Sequence, residues 1–332
     1  MKINIYDSNL NLVEMIGEQY ISVRWSENYN DLGSFVLETY ATDRLRKIIR
    51  PNVFVSRSDR KTLMIVKSVE IANKKIVASG FEASRMLDDV VLAGTIHRGE
   101  NIQNAIRNAY AQAGGFPVYE IGGSSLDEET KVQVSNASVL QILKTICQAS
   151  DIGFRSVKND KKVTLEFFKP EKNPNLVFAE KYGNLIVGSV VISTEPYKNF
   201  AVVLGEGEGE ERKQTLVDKT NGEQAYQIIV DARDIIFDPD EETEAEYYSR
   251  LYDRGVKELL SCNMPYNCTF QVSAQEFGKR YDIGDIVTML IPDYDVKIEA
   301  RVASFSEMSQ YNANNIAVTV GEPIRIIRRN KK

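Results

Sequence analysis

The chain holds 332 residues with a mass of 37.5 kDa, a length that points to two or three units at about 100–200 residues per domain. Lys and Arg number 41 against 47 Asp and Glu, a net charge of −6, and 43% hydrophobic with 27% charged residues is the balance of an ordinary globular chain. Three Cys and one His exclude a disulfide scaffold and a His-rich metal protein, the composition excludes collagen-like and disordered chains, and the acidic surplus argues against a general nucleic-acid binder.

The first ten residues carry one Lys and no apolar core segment, and no run of about 18 apolar residues occurs anywhere. The expectation is a chain made in a cytoplasm, with no membrane insertion. Ile3-Asn4-Ile5-Tyr6 alternates as a strand does, and Asp7-Ser8-Asn9 supplies turn chemistry. Residues 20–25 and 34–40 are rich in β-branched and aromatic side chains, around a turn-forming stretch at 28–33. Short strands follow at 53–55, 63–66 and 76–78. Their close spacing predicts an antiparallel sheet or barrel rather than βαβ units, and a barrel removes exposed edges.

The period then changes. Ile102, Ala105, Ile106 and Ala109 fall at helical spacing before Gly114-Gly115. Ser138 with Gln141 predicts a second helix start, with Val139, Ile142, Leu143 and Ile146 as its apolar stripe. A hairpin is expected at 154–157 and 163–168. Residues 91–175 thus read as an inserted α/β unit. Strands resume at 185–193 and 200–204. Thr243 and Glu246 form a capping box for a helix over 244–261, with acids at its positive end. Its apolar face reads as Tyr248, Leu251, Tyr252, Val256 and Leu259. Strands at 269–272, 286–290, 298–303 and 316–320 close the chain.

The candidate chemistry is thin. A Ser-His-Asp or Cys-His site would have to use the single histidine, His97, and no second histidine is present for a His₂ metal site. Gly205-Glu206-Gly207-Glu208-Gly209 lacks the helix that a phosphate loop needs, and its carboxylates, with Glu210 and Glu211, repel phosphate. It reads as an acidic hairpin loop. Asp238-Pro239-Asp240-Glu241-Glu242 has no mid-loop Gly for calcium and reads as helix capping. Asp282-Ile283-Gly284-Asp285 is either an acid pair or a turn, with the turn as the default. Arg325, Arg328 and Arg329 make the C-terminal end basic. No catalytic, cofactor or metal residue is assigned.

Six ordered segments carry a resemblance. They are Arg24-Trp25 with Tyr29 and Gly33-Ser34-Phe35; Ser79-Gly80-Phe81-Glu82-Ala83 with Met86-Leu87; Lys181-Tyr182-Gly183-Asn184-Leu185; Tyr197 to Gly205; Val230-Asp231-Ala232-Arg233-Asp234; and Tyr281 to Val287. Together they resemble the bacteriophage tail baseplate or tail-tip hub proteins of the siphovirus type. The resemblance implies an α+β, predominantly β fold with two tail-tube-like antiparallel β-barrel modules and smaller inserted domains. The implied division is a first barrel at 1–90, completed by strands from 176–210, an inserted α/β domain at 91–175, a second barrel segment at 176–262 and a C-terminal β domain at 263–332. It implies a homotrimeric ring of pseudo-sixfold symmetry at the virion tail tip, assembled in the bacterial host cytoplasm, with no enzyme activity. The implied partners are the tail tube or a distal tail protein, a central spike, fibre or tape-measure protein, and DNA passing transiently through the lumen. Glu206, Glu208, Glu210, Arg325, Arg328 and Arg329 become candidate interface or lumen residues. The chain is expected to lack the long C-terminal extension of some hubs. The alternatives are a cell-wall hydrolase using Asp282 and Asp285, or a carbohydrate-binding tail component.

Overall fold

The computed structural model describes residues 1–17, 19–122, 126–192, 197–240, 242–262, 266–291, 296–310 and 313–328. The chain opens with β1 (Ile3–Tyr6), β2 (Leu12–Ile16), β3 (Tyr20–Asn28) and β4 (Asp31–Tyr40), then a short helix α1 (Asp43–Ile48). β5 (Phe54–Arg57), β6 (Leu63–Ala72) and β7 (Lys75–Glu82) follow. All pair antiparallel, in the order β3-β4-β7-β6-β5-β1-β2, as the close spacing of the strands predicts. β4 reads alternately buried and half-exposed, and it sets Phe35 and Leu37 into the core beside Trp25 of β3. Gly80 lets β7 cross that core: a Cβ there would lie 1.9 Å from the Ile65 carbonyl oxygen.

A 3-10 turn, Ala83–Asp89, leads into the first inserted unit. It contains β8 (Val91–Ile96), α2 (Ile102–Gln112), β9 (Tyr119–Ile121), β10 (Val134–Ser138), α3 (Val139–Ser150), β11 (Gly153–Asn159) and β12 (Lys162–Phe168). Asn101 and Ser138 cap the helices through the N–H groups of Asn104 and Gln141. The expected hairpin is β11 with β12, and β9 adds to β12 in parallel. β8 and β10 form a separate ribbon.

β13 (Lys172–Phe178) and β14 (Leu185–Ile192) return to the main sheet. A second inserted unit then packs β15 (Phe200–Leu204), β16 (Gln214–Asp218) and β17 (Gln227–Asp231) against α4 (Glu244–Ser261). Both arms of the Thr243–Glu246 capping box form. Thr243→Ala is expected to cost about 1 kcal/mol in denaturant unfolding, the usual worth of an N-cap. The buried stripe of α4 is Tyr247, Leu251, Asp253, Gly255 and Leu259, so Tyr247 takes the place expected for Tyr248. Gly255 allows close packing, because a Cβ would meet Val203 and Val217 at 2.5 and 2.6 Å.

β18 (Tyr266–Val272), β19 (Ile286–Ile291) and the long hairpin β20 (Val296–Gln310) with β21 (Ala313–Arg328) finish the main sheet. β20 pairs with β3, which joins the two ends of the chain, and the path continues β20-β21-β18-β14. β13 pairs with β19, and β19 with β20. The fold is α+β and predominantly β. Among the described residues the path is open: β2 and β14 at its ends have one paired neighbour each, and two closed barrels are not seen in the single chain. No described helix is long and apolar enough to cross a membrane.

Candidate functional site

The densest polar cluster lies where the main sheet meets the first inserted unit. β3 turns Trp25 and Glu27 to one face, two residues apart. β20 sets Glu307 opposite Trp25 and Phe305 opposite Glu27. Arg57 at the end of β5 joins them, and the loop between β5 and β6 adds Asp59 and Arg60. Arg60 grips Glu27 with two parallel bonds, Nε to Oε1 at 2.8 Å and Nη2 to Oε2 at 2.6 Å. The Trp25 indole donates to the same Oε1 at 2.8 Å. The guanidinium of Arg60 also lies 4.8 and 4.6 Å from the Phe277 and Phe305 ring centres. Burial works to raise the Glu27 carboxyl, and Arg60 together with the Trp25 and Thr62 hydrogen bonds outweighs it, so the group sits below the ordinary carboxylate value. Arg57 holds Asp59 in the same bidentate way and also bonds Glu307.

Two further arginines continue the seam. Arg301 of β20 donates to Asp151, at the end of α3, at 2.7 Å and to the Gly284 carbonyl at 2.8 Å. Arg155 of β11 faces Asp282 at 3.6 Å, and Arg60 faces it at 3.8 Å. Beside them Glu82 is fully buried. It accepts from Ser84 Oγ at 2.9 Å and from the Ser156 N–H at 2.8 Å, and Tyr119 and Ser84 share the Ser156 hydroxyl. Burial pushes the Glu82 carboxyl up to about 7. Three of the resembling segments meet here, through Trp25, Glu82 and Asp282. Within this cluster the Arg155–Asp282 and Arg301–Asp151 ion pairs tie the first inserted unit to the sheet. The cluster presents no nucleophile–base pair.

The sequence candidates fall elsewhere. His97 is exposed, and its N–H bonds Glu100. Both oxygens of Asp285 accept backbone N–H groups, from Asp282 at 2.8 Å and Glu171 at 3.0 Å. Asp285 thus builds a turn and ties the start of β13 to the start of β19, with Asp282 half-exposed beside it. Glu206 is half-buried and accepts the Phe237 N–H, while Arg212 spans the loop base by bonding Gly205 O and Asp231. Glu208 is exposed, and Glu210 lies in a short 3-10 turn, Gly209–Glu211. Arg325 and Arg328 pair in β21 with Glu299 and Val296 of β20, and Arg329 lies outside the described residues. The glutamate loop and the C-terminal arginines therefore belong to different sheets. In the 238–242 loop, Asp238 accepts the Asp240 N–H and Glu242 pairs with Arg250, and no metal-ligand cluster occurs among the described residues. Sequence reasoning missed the arginine seam. Its one local signal was the Trp25–Glu27 pair on a single strand face.

The architecture is that of phage tail proteins. Prophage tail protein gp18 from Listeria monocytogenes EGD-e superimposes with a TM-score of 0.62 at 14% identity, over 97% of this chain and 94% of that one. The tail protein from Neisseria meningitidis MC58 gives 0.59 at 10% identity, over 96% of each chain. The 43 kDa tail protein of prophage MuSo2 from Shewanella oneidensis gives 0.58 at 11%, over 96% of this chain and 98% of that one. No curated protein matches the sequence. The chain belongs to the siphovirus tail family of ReqiPepy6 Gp37-like proteins, which it matches over residues 97–322.

Proposed function

We propose that the chain is a structural hub subunit of a phage or phage-like tail tip or baseplate. Three copies form a ring of pseudo-sixfold symmetry that joins the hexameric tail tube to a distal spike or fibre. One tube-like module is built on the strands of residues 1–82 and the other on 172–192 and 266–328, with the two inserted units at 83–168 and 200–261. Neighbouring copies complete the barrels. The role lies in surfaces and involves no catalysis. The partners are the tail tube or a distal tail protein on one side and a central spike, fibre or tape-measure protein on the other, with DNA crossing the lumen.

The observation that carries this reading is the open main sheet. It draws strands from both ends of the chain and, among the described residues, leaves β2 and β14 at the ends of its path and β13 beside β19 with a single neighbour each. An open strand edge invites pairing with another chain, and a head-to-tail contact that closes makes a ring. Membership of a siphovirus tail family supports the setting. Electron microscopy of assembled tails tests it. Threefold density for this chain at the tip is the expected result, and tails whose tips lack the chain refute it.

A further inference from the structure

β2 ends the path of the main sheet, with β1 as its one neighbour. Its sequence, Leu12-Val13-Glu14-Met15-Ile16, is a hazard in that place, because only Glu14 is charged. Leu12 and Met15 are 54% and 50% exposed. Met15 and Tyr40 line a mainly apolar groove of about 600 Å³ with Ile16, Ile21 and Leu45. A short apolar strand with bare backbone groups is a template for another chain.

The pairing of β1 shows which backbone groups of β2 face outward. The Lys2 carbonyl accepts the Ser58 N–H, on the β5 side of β1. Backbone groups alternate in direction along a strand, so Ile3 and Ile5 turn theirs the other way, to Ile16 and Glu14. Val13 and Met15 therefore aim their backbone groups at the open edge. Both are covered. Glu14 Oε1 accepts the Met15 N–H at 3.1 Å, and Arg44 Nη2, from α1, donates to the Val13 carbonyl at 3.5 Å. An ion pair of 2.6 Å, Arg44 Nε to Glu14 Oε2, locks the two side chains together. Thr42 caps α1, and Leu45, Ile48 and Ile49 pack it on the core, which fixes the base from which Arg44 reaches. The Arg44 side chain is mostly exposed, and such a pair adds little to folding stability.

We propose that the Glu14–Arg44 pair is a guard on the β2 edge, which keeps this end of the sheet from pairing with a second copy of the chain. The carboxylate and the guanidinium occupy a donor and an acceptor that an added strand needs. They also set charge beside the apolar side chains that would drive its docking. Within the proposed ring, and resting on that reading, the guard means that copies join through an edge other than β2.

Glu14→Ala combined with Arg44→Ala in the full chain is the test, read by sedimentation velocity against concentration. The urea midpoint stays where it is in the unmodified chain, as expected for an exposed pair. The double variant associates at a concentration at least about tenfold lower than the unmodified chain, since the freed edge gains strand hydrogen bonds. Adding Met15→Pro removes the outward N–H without touching the β1 ladder and returns association to the unmodified level. Asp43→Ala with Lys47→Ala, an exposed pair of charges on the same helix, behaves as the unmodified chain. The proposal is overturned if the double variant associates no more than the unmodified chain, or if its association survives Met15→Pro. In assembled tails Met15→Pro alone leaves the tip as it is. A ring formed by the unmodified chain and lost in that variant makes β2 a joining edge and overturns the guard, whereas a ring absent from the unmodified chain refutes only the ring.

Discussion

Arg60→Ala lowers the stability of the folded chain by about 3–5 kcal/mol at pH 7, the expected cost of leaving one partner of a buried ion pair uncompensated. Glu27 is 7% exposed, and Arg60 supplies its two shortest contacts with a cation. The loss also removes the contacts of Arg60 with the Phe277 and Phe305 rings. The pH dependence gives a sharper check. In the unaltered chain Glu27 sits below its ordinary value, so its contribution is present above the unfolded pKa and is lost as pH falls through the folded one. Without Arg60 the burial of Glu27 is opposed by the Trp25 and Thr62 hydrogen bonds but by no cation, its carboxyl rises, and acid relieves the strain. The Arg60→Ala deficit therefore shrinks between pH 7 and pH 5 in urea titrations. Arg60→Met combined with Glu27→Gln recovers most of the loss, because a neutral pair needs no counter-charge. A deficit under about 1 kcal/mol, or one that grows in acid, contradicts this account of the seam.

Glu82→Gln works in the other direction. Burial holds the Glu82 carboxyl at about 7 in the folded chain, above its ordinary 4.5. A raised folded pKa means stability is fully present below the unfolded value and is lost as pH rises through the folded one. Linkage turns that separation into roughly 3 kcal/mol, lost between pH 4.5 and pH 7. Gln keeps an oxygen for the Ser84 hydroxyl and the Ser156 N–H and never ionises. The difference in stability between Glu82→Gln and the unaltered chain is thus expected to be small at pH 4.5 and to reach about 2–3 kcal/mol in favour of Gln at pH 8. A difference that stays flat across that range shows that Glu82 does not carry the charge cost.

What was legible in the sequence was local. The capping pairs at Ser138 and Thr243 act within one turn, and each starts a helix at the expected residue. The β11–β12 hairpin needed only its turn at Asp160. The phase of α4 was harder, because Tyr247, Tyr248 and Tyr252 are equally apolar in a list. Only contact with β15 and β16 decides that Tyr247 points inward. Pairings such as β13 with β19 depend on segments more than a hundred residues apart, which no periodicity encodes. The same holds for the seam: Arg57 and Glu307 are 250 residues apart, and each looks like a surface charge by itself. The resembling segments did point the right way. Phe35 and Gly80, from two of them, are direct partners across β4 and β7.

The pairing of β20 with β3 has a consequence for how the protein is made. Tyr20 and Ser309 bond to each other across 289 residues of chain. At a synthesis rate of about 5–20 residues per second, β3 leaves the ribosome some tens of seconds before its partner exists. During that interval Trp25 and its neighbours have a bare edge, while the first inserted unit, whose contacts are nearer in sequence, has everything it needs to fold. The sheet that surrounds the inserted unit in sequence is thus complete only when β20 has been made, long after the inserted unit has left the ribosome.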